Sequence, residues 1–437
     1  MYQPSTIKTV GLFGPYGSGN LGDTAIQKAV IHNLRNYMPQ VNIYGFSGNP
    51  VDTEKSYGIK SFPIYRPVPS IVESEDLSKT INTNRNIIKT STRSIRLIKA
   101  VISRVRLILM ELSFTLRSCK VLKGVDILII SGGGQLDDYW GGAWGHPFAL
   151  FRWAVMAKLS RKTLLFLSVG AGPMLSLLSR FFVRNALLLA DYRSYRDNYS
   201  RQVVEEMGVK RNNHVYPDLA FSLPVVRRER PTRSAINAAK VIGISPISAN
   251  AWTHVDDPAY KNYLNELIAL VLWLLEENYK ISFFPSQIKM DTPIIQDIKK
   301  YVNDHFGPRL NGQIIESQIT TINDLMVHID DIDIVIASRL HGVLLSHLMH
   351  RPVLAISYDR KVDHHMEDMG LSEYCLDLGK VNLNLLKTQF RQLEGNKEAV
   401  ERQVSEKISG YIGALKEQYY WLFGSEMMAS RLTKSTT

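Results

Sequence analysis

Cysteine is nearly absent from this chain: Cys119 and Cys375 are the only two in 437 residues. So few thiols exclude a disulfide framework and a thiolate metal cage, and they suit a reducing, cytoplasmic setting. The opening stretch MYQPSTIKTVGLFG has no charged leader followed by a long apolar run, so no secretory signal peptide is expected there. No Gly-Lys-Ser/Thr follows the first glycine turn, which excludes a P-loop. There is no His-Glu-x-x-His and no Gly-x-Ser-x-Gly, so zinc-protease and serine-hydrolase chemistry have no signature either. Internal repeats and low-complexity tracts are missing too.

What is present is ordinary globular material, 45% hydrophobic and 21% charged, long enough for two domains. The net charge of +11 is concentrated. Residues 85–120 hold nine Lys or Arg against one acid, Glu111. There Ile95, Ile98, Ile102, Val105, Leu109, Leu112 and Leu116 recur in steps of three and four, which makes one stripe of a helix. Arg93, Arg96, Lys99, Arg104 and Arg106 fall on the other side. Such a basic amphipathic helix can lie on the inner, anionic face of a membrane, or it can pack its stripe on its own domain. Charges interrupt every window of the ~20 apolar residues that a crossing needs. Little aromatic interleaving on the basic face argues against nucleic acid.

Strand and helix patterns alternate along the chain, as in a parallel sheet with helices on both faces. Apolar runs at 7–14, 41–47, 126–131 and 163–172 read as strands, with helices at 23–37, 147–160, 176–190 and 198–207. Residues 50–84 read as loop, and the charged, proline-bounded 224–240 as a linker. A second α/β run follows, with strands at 241–248, 280–287 and 352–359. The expected units are 1–225 with the basic insertion at 85–120, then 236–400, then a helical segment 401–437 that packs back on the first unit. Ligands of open parallel sheets sit beyond the carboxyl ends of strands, and every unusual motif here falls at such an end.

GPYGSGNLGDTA (14–25) allows a tight turn and close approach of a ligand to a helix N-terminus, with Asn20 and Asp23 at hand; the plain alternative makes Asp23 the helix cap. Its Gly-x-Gly-x-x-Gly spacing lacks the acid that a dinucleotide site needs after the second strand. SGGGQLDDYWGG (131–142) offers Gly133, a carboxylate pair at Asp137 and Asp138, and the Tyr139 and Trp140 rings, which suits a carbohydrate. SVGAGP (168–173) is a third glycine turn, with Pro173 near a helix start. YRSYRDNYS places Arg196 before a helix that Asn198 or Ser200 could cap, where it can clamp a carboxylate or phosphate.

In ASRLHG (337–342), alternation along an extended strand end puts Arg339 and His341 on one side, and Gly342 lets the chain swing into the next helix. Guanidinium, imidazole and helix dipole then converge as an anion site with an acid/base group in it. Lys361 can add a cation from the next strand end. His341, His347 and His350 lack metal-ligand pairing, and DHHMED (363–368) places adjacent histidines apart, so no metal is expected.

In this order, GNLGD (19–23), SGGGQLDD (131–138), SVGAGP (168–173), YRDNYS (195–200), SRLHG (338–342) and YDRK (358–361) resemble the polysaccharide pyruvyltransferase family over roughly residues 7–380. The departures are the basic insertion and SVGAGP, where many members have Gln before the glycine turn. The resemblance implies two facing Rossmann-like domains of the glycosyltransferase-B type, an N-terminal acceptor domain and a C-terminal donor domain. It implies transfer of an enolpyruvyl-derived group from phosphoenolpyruvate to a sugar or lipid-linked oligosaccharide as a pyruvate ketal, with no metal or nucleotide cofactor. Arg196, Arg339, His341, Gly342 and Lys361 would hold the donor, with Arg339 and His341 catalytic. Asn20, Asp23, Gly133, Asp137 and Asp138 would hold the acceptor. Two other functions stay open: a nucleotide-sugar glycosyltransferase on the same frame, and a non-catalytic membrane-surface component of polysaccharide assembly.

Overall fold

The computed structural model describes residues 7–17, 19–66, 93–225, 240–249, 257–307 and 312–424, with backbone only for 93–104. It is the α/β architecture expected, two Rossmann-like halves that face each other. The first half carries strands β1 (Thr9–Gly14), β2 (Asn42–Ser47), β3 (Ser61–Pro63), β4 (Ile127–Ser131), β5 (Gly134–Leu136), β6 (Thr163–Ala171), β7 (Tyr192–Tyr195) and β8 (Asn213–Val215). Their order is β3-β2-β1-β4-β6-β7-β8, with β5 beside β6, and every pairing is parallel. Strands such as ILIIS are buried along their whole length because helices cover both sheet faces.

Helices α1 (Leu21–Tyr37), α2 (Pro50–Tyr57), α3 (Arg93–Lys123), α4 (His146–Leu159), α5 (Leu177–Leu188) and α6 (Asn198–Glu206) connect these strands. α3, α4 and α5 cover the face where Phe13, Leu128, Trp153 and Val183 form one core. The region 50–66 is not the loop that its composition suggests. Asn49 caps α2, Pro50 opens it, and Gly58 closes it at φ 64°, and β3 then adds an edge strand. The rest of that supposed loop, 67–84, lies outside the described residues, as do 226–239 of the linker and 425–437 of the tail.

The second half is a six-stranded parallel sheet ordered β11 (Ile314–Ile315), β10 (Lys280–Phe283), β9 (Val241–Ser245), β12 (Ile334–Ala337), β13 (Val353–Ser357) and β14 (Cys375–Asp377). Its helices are α7 (Pro258–Glu276), α8 (Ile288–Phe306), α9 (Ile322–Asp330), α10 (Leu340–Leu348), α11 (Arg360–Asp368) and α12 (Leu383–Gly395). A last helix, α13 (Lys397–Phe423), reaches the first sheet, where Gln418 donates to Ser194 Oγ at 2.7 Å and Tyr419 stacks on Tyr37. One apolar core thereby runs through both halves. Across the cleft, Leu21 N donates to Ser286 O and Ile288 N to Gly19 O, both at 3.0 Å.

Candidate active site

The glycine-rich turn after β1 sets the first wall. Gly17 and Gly19 take φ of 88° and 77°, the left-handed region open to glycine. The cap of α1 is Asn20, not Asp23: its Oδ1 accepts Gly22 N at 3.0 Å and Asp23 N at 3.3 Å. Asp23 is thus released from capping and borders a cavity of about 570 Å³ between the halves. Nine of the ten residues singled out from the sequence line that cavity: Asn20, Asp23, Gly133, Asp137, Asp138, Arg196, Arg339, His341 and Lys361. Gly342 is not among its lining residues. A side chain there would meet Ser286 Oγ at 2.8 Å and Ser245 Oγ at 3.2 Å, so this glycine lets α10 approach two buried serines.

Arg339 and His341 are not on one extended strand. β12 ends at Ala337, Arg339 is the extended N-cap residue of α10, and His341 stands in the first helical turn. They meet at the cavity because helix rotation, rather than strand alternation, carries the imidazole round. Lys361 likewise belongs to the first turn of α11, capped by Asp359, with Nζ 3.1 Å from Asp359 Oδ2. Asp197 caps α6 in place of the expected Asn198 or Ser200, accepting Ser200 N at 2.6 Å. Ser176, three residues beyond Pro173, caps α5.

Both arginines are held from behind by carboxylates that the sequence did not mark. Arg339 Nε donates to buried Asp291 at 2.8 Å, and Asp291 in turn accepts Ser286 N and Gln287 N. Arg339 Nη2 lies 2.7 Å from the same oxygen, at an angle that makes no hydrogen bond. Arg196 is paired with Asp197 at 3.2 Å and with buried Asp218 at 3.5 Å. Its guanidinium lies close against Gly170 of SVGAGP, where a side chain would come within 2.6 Å of Nη2. That glycine is present because the arginine passes over it.

The electrostatics are mixed in sign. Desolvation, helped by the charge of Asp218 and opposed by Arg196 and Lys361, pushes the Asp23 carboxyl up to about 7. Burial also raises Asp137. Burial pulls His341 down to about 4, so its imidazole is neutral at pH 7, and its Nε2 is enclosed without a hydrogen-bond partner. Asp138 is tied to the next loop, since its Oδ2 accepts Leu175 N and Ser176 N at 3.1 Å each. Tyr139 and Trp140 stand at the mouth. The cavity can therefore take a small polyanion on its arginine side and hydroxyl groups on its carboxylate side, with one carboxyl poised to exchange a proton near neutral pH.

A sequence model for the family described as polysaccharide pyruvyl transferase matches residues 20–360. A comparison with curated protein sequences finds no match. Solved structures with a similar course of the chain include Staphylococcus aureus MnaA with UDP, at TM-score 0.53 and 12% identity over 92% of this chain and 91% of that one. Anabaena Alr3699/HepE in complex with UDP gives TM-score 0.53 and 12% identity over 98% and 100%. The UDP-GlcNAc 2-epimerase of Methanocaldococcus jannaschii gives 0.52 and 10% over 98% and 100%. At such identities the likeness is one of fold, the two-Rossmann arrangement of the glycosyltransferase-B type.

Proposed function

The chain belongs to the polysaccharide pyruvyl transferase family, a transferase, and from that premise we propose that it moves the enolpyruvyl-derived group of phosphoenolpyruvate onto two hydroxyls of a sugar, forming a pyruvate ketal and releasing phosphate. The observation that carries this reading is the pairing, in one cavity, of carboxylate-backed Arg196 and Arg339 with the near-neutral Asp23. Phosphoenolpyruvate carries its carboxylate and its phosphate ester on the same carbon, C2. The two guanidiniums and the Lys361 ammonium, each oriented by an aspartate, offer N–H donors to both groups.

In this reading Asp23 gives its proton to C3 of the enol, and positive charge develops at C2. A sugar hydroxyl attacks C2 and loses its proton, the C2–O bond to phosphate breaks, and a second hydroxyl closes the ketal and loses its proton. One of the two released protons restores Asp23; the other leaves on phosphate. His341 is neutral, so it serves as the base for a hydroxyl or as an Nε2–H donor to the departing phosphate rather than as the acid. Asp137 and the Tyr139 and Trp140 rings would hold the acceptor.

The neighbours solved with UDP favour one competing function, transfer from a nucleotide sugar. The two are separated by product: phosphate released from phosphoenolpyruvate in the presence of an acceptor glycan, with the glycan gaining the mass of one pyruvate ketal, against nucleoside diphosphate released from nucleotide sugars. Only the second product appearing would overturn the proposal.

A further inference from the structure

The face of the first half that carries α3, α4 and α5 is apolar where it meets solvent and almost devoid of acids. α4 is packed between its neighbours. Arg152 lies over the Phe114 ring of α3, 4.7 Å from its centroid, while Phe148 and Phe151 meet Phe182 of α5 at 5.4 and 5.5 Å. The outward sides of α3 and α5 thus belong to one surface. On α3 it presents Ile108, Leu109, Leu112 and Leu116, each more than half exposed, so the described part of the apolar stripe is not packed on its own domain. On α5 it presents Leu177 and Phe181. Single exposed leucines need no explanation, but these follow the helical repeat on two neighbouring elements.

Charge says what covers them. Between Asp138 and Asp191 the sequence contains no Asp or Glu, and it includes Arg161, Arg180 and Arg184. α3 has one acid, Glu111, which is drawn inward onto Arg66 and Arg152. A second copy of this face would set cation against cation. An anionic bilayer accepts both the leucines and the cations. No helix among the described residues is long and apolar enough to cross a membrane, so the contact is with its surface.

The same face reaches the cavity. Leu175, 90% exposed, lines the mouth together with Tyr139 and Trp140, and its backbone is tied to Asp138. We propose that α3 and α5 dock the protein on an anionic lipid bilayer with the mouth of the cavity at the membrane surface.

The test is sedimentation of the full chain with vesicles of equal phosphatidylglycerol and phosphatidylcholine, against pure phosphatidylcholine. The chain is expected to pellet with the anionic vesicles alone and to be released at about 0.5 M salt. Two variants, one with Leu109→Glu, Leu112→Glu and Leu116→Glu, the other with Leu177→Glu and Phe181→Ser, should each bind about tenfold more weakly or worse. Both should keep the wild-type circular dichroism and the wild-type rate of phosphate release from phosphoenolpyruvate with a short soluble acceptor. The proposal is overturned if the wild type stays in the supernatant with anionic vesicles, if either variant binds like the wild type, or if light scattering shows that the substitutions break a dimer instead. Vesicle binding with no phosphate release in the wild type would uphold the docking and sink the transfer reading alone.

Discussion

The His341 imidazole fills the space where a side chain on Gly22 would begin: a Cβ built there would overlap the ring. The two glycine-bearing motifs, GNLGD from the first half and SRLHG from the second, therefore interlock across the cleft, and one is cut to the shape of the other. Gly22→Ala forces the imidazole aside. Displacement by about 1 Å costs a catalytic group on the order of 10²-fold in rate. Steady-state kinetics should show that loss in kcat, with a smaller change in KM for phosphoenolpyruvate, because the arginines do not depend on Gly22.

Asp291 gives a prediction of the opposite kind. It has no place in the cavity wall, yet it aims Arg339 while its other oxygen accepts two backbone N–H groups. Asp291→Asn can satisfy those amides but then turns its NH2 toward the guanidinium. Breaking such a pair leaves a poorly partnered charge, a destabilisation of roughly 3 kcal/mol. KM for phosphoenolpyruvate should rise tenfold or more, with kcat changed less, and thermal denaturation should show the lost stability. A variant with wild-type KM would mean that Arg339 does not hold the donor.

How far the sequence reveals such a site depends on the range of the interaction. Runs such as DILII mark buried parallel strands because both faces are covered, and the glycine turns mark strand ends, where ligands of open sheets bind. Those are local signals, and they located the cavity-lining residues. Asp291 and Asp218 sit 48 and 22 positions from the arginines they hold, and nothing in SQIKMD or YPDLAF marks them beforehand. Arg339 and His341 were legible as a pair but not in conformation, since two residues fit a strand end and a cap with a first turn equally well. α2 was missed because a helix of eight residues between Pro50 and Gly58 has the composition of a loop.

Asp23 should impose an alkaline limit on the rate. With its carboxyl near 7, the protonated form that serves C3 is depleted above neutral pH, so kcat/KM should fall about tenfold per pH unit beyond about 7. Asp23→Asn should lose 10²-fold or more and flatten that limb. The same shift acts on stability. The folded state holds the proton more tightly than the unfolded chain, so the stabilisation is complete below about 4 and is lost as pH rises through about 7. Denaturant titration at pH 8 should therefore find Asp23→Asn more stable than the wild type, by on the order of 2 kcal/mol once solvent reaching through the cavity is allowed for.

His341 produces a pH dependence of the other sign. Its folded value lies near 4 and its ordinary one at 6.5, so between those limits the unfolded chain binds more protons than the folded one. The stabilisation is complete above 6.5 and is lost as pH falls toward 4, by up to about 3 kcal/mol. His341→Gln removes the titrating group while retaining a polar side chain, so its unfolding free energy should decline less steeply than the wild type's between pH 6.5 and 4. Phosphate is a sharper probe. An anion bound beside the ring favours imidazolium, so phosphate should raise the His341 value, and the NMR titration of that ring should move toward neutral pH as phosphate is added. A ring whose titration ignores phosphate would not share a pocket with the leaving group, and the base or donor role would pass to another side chain.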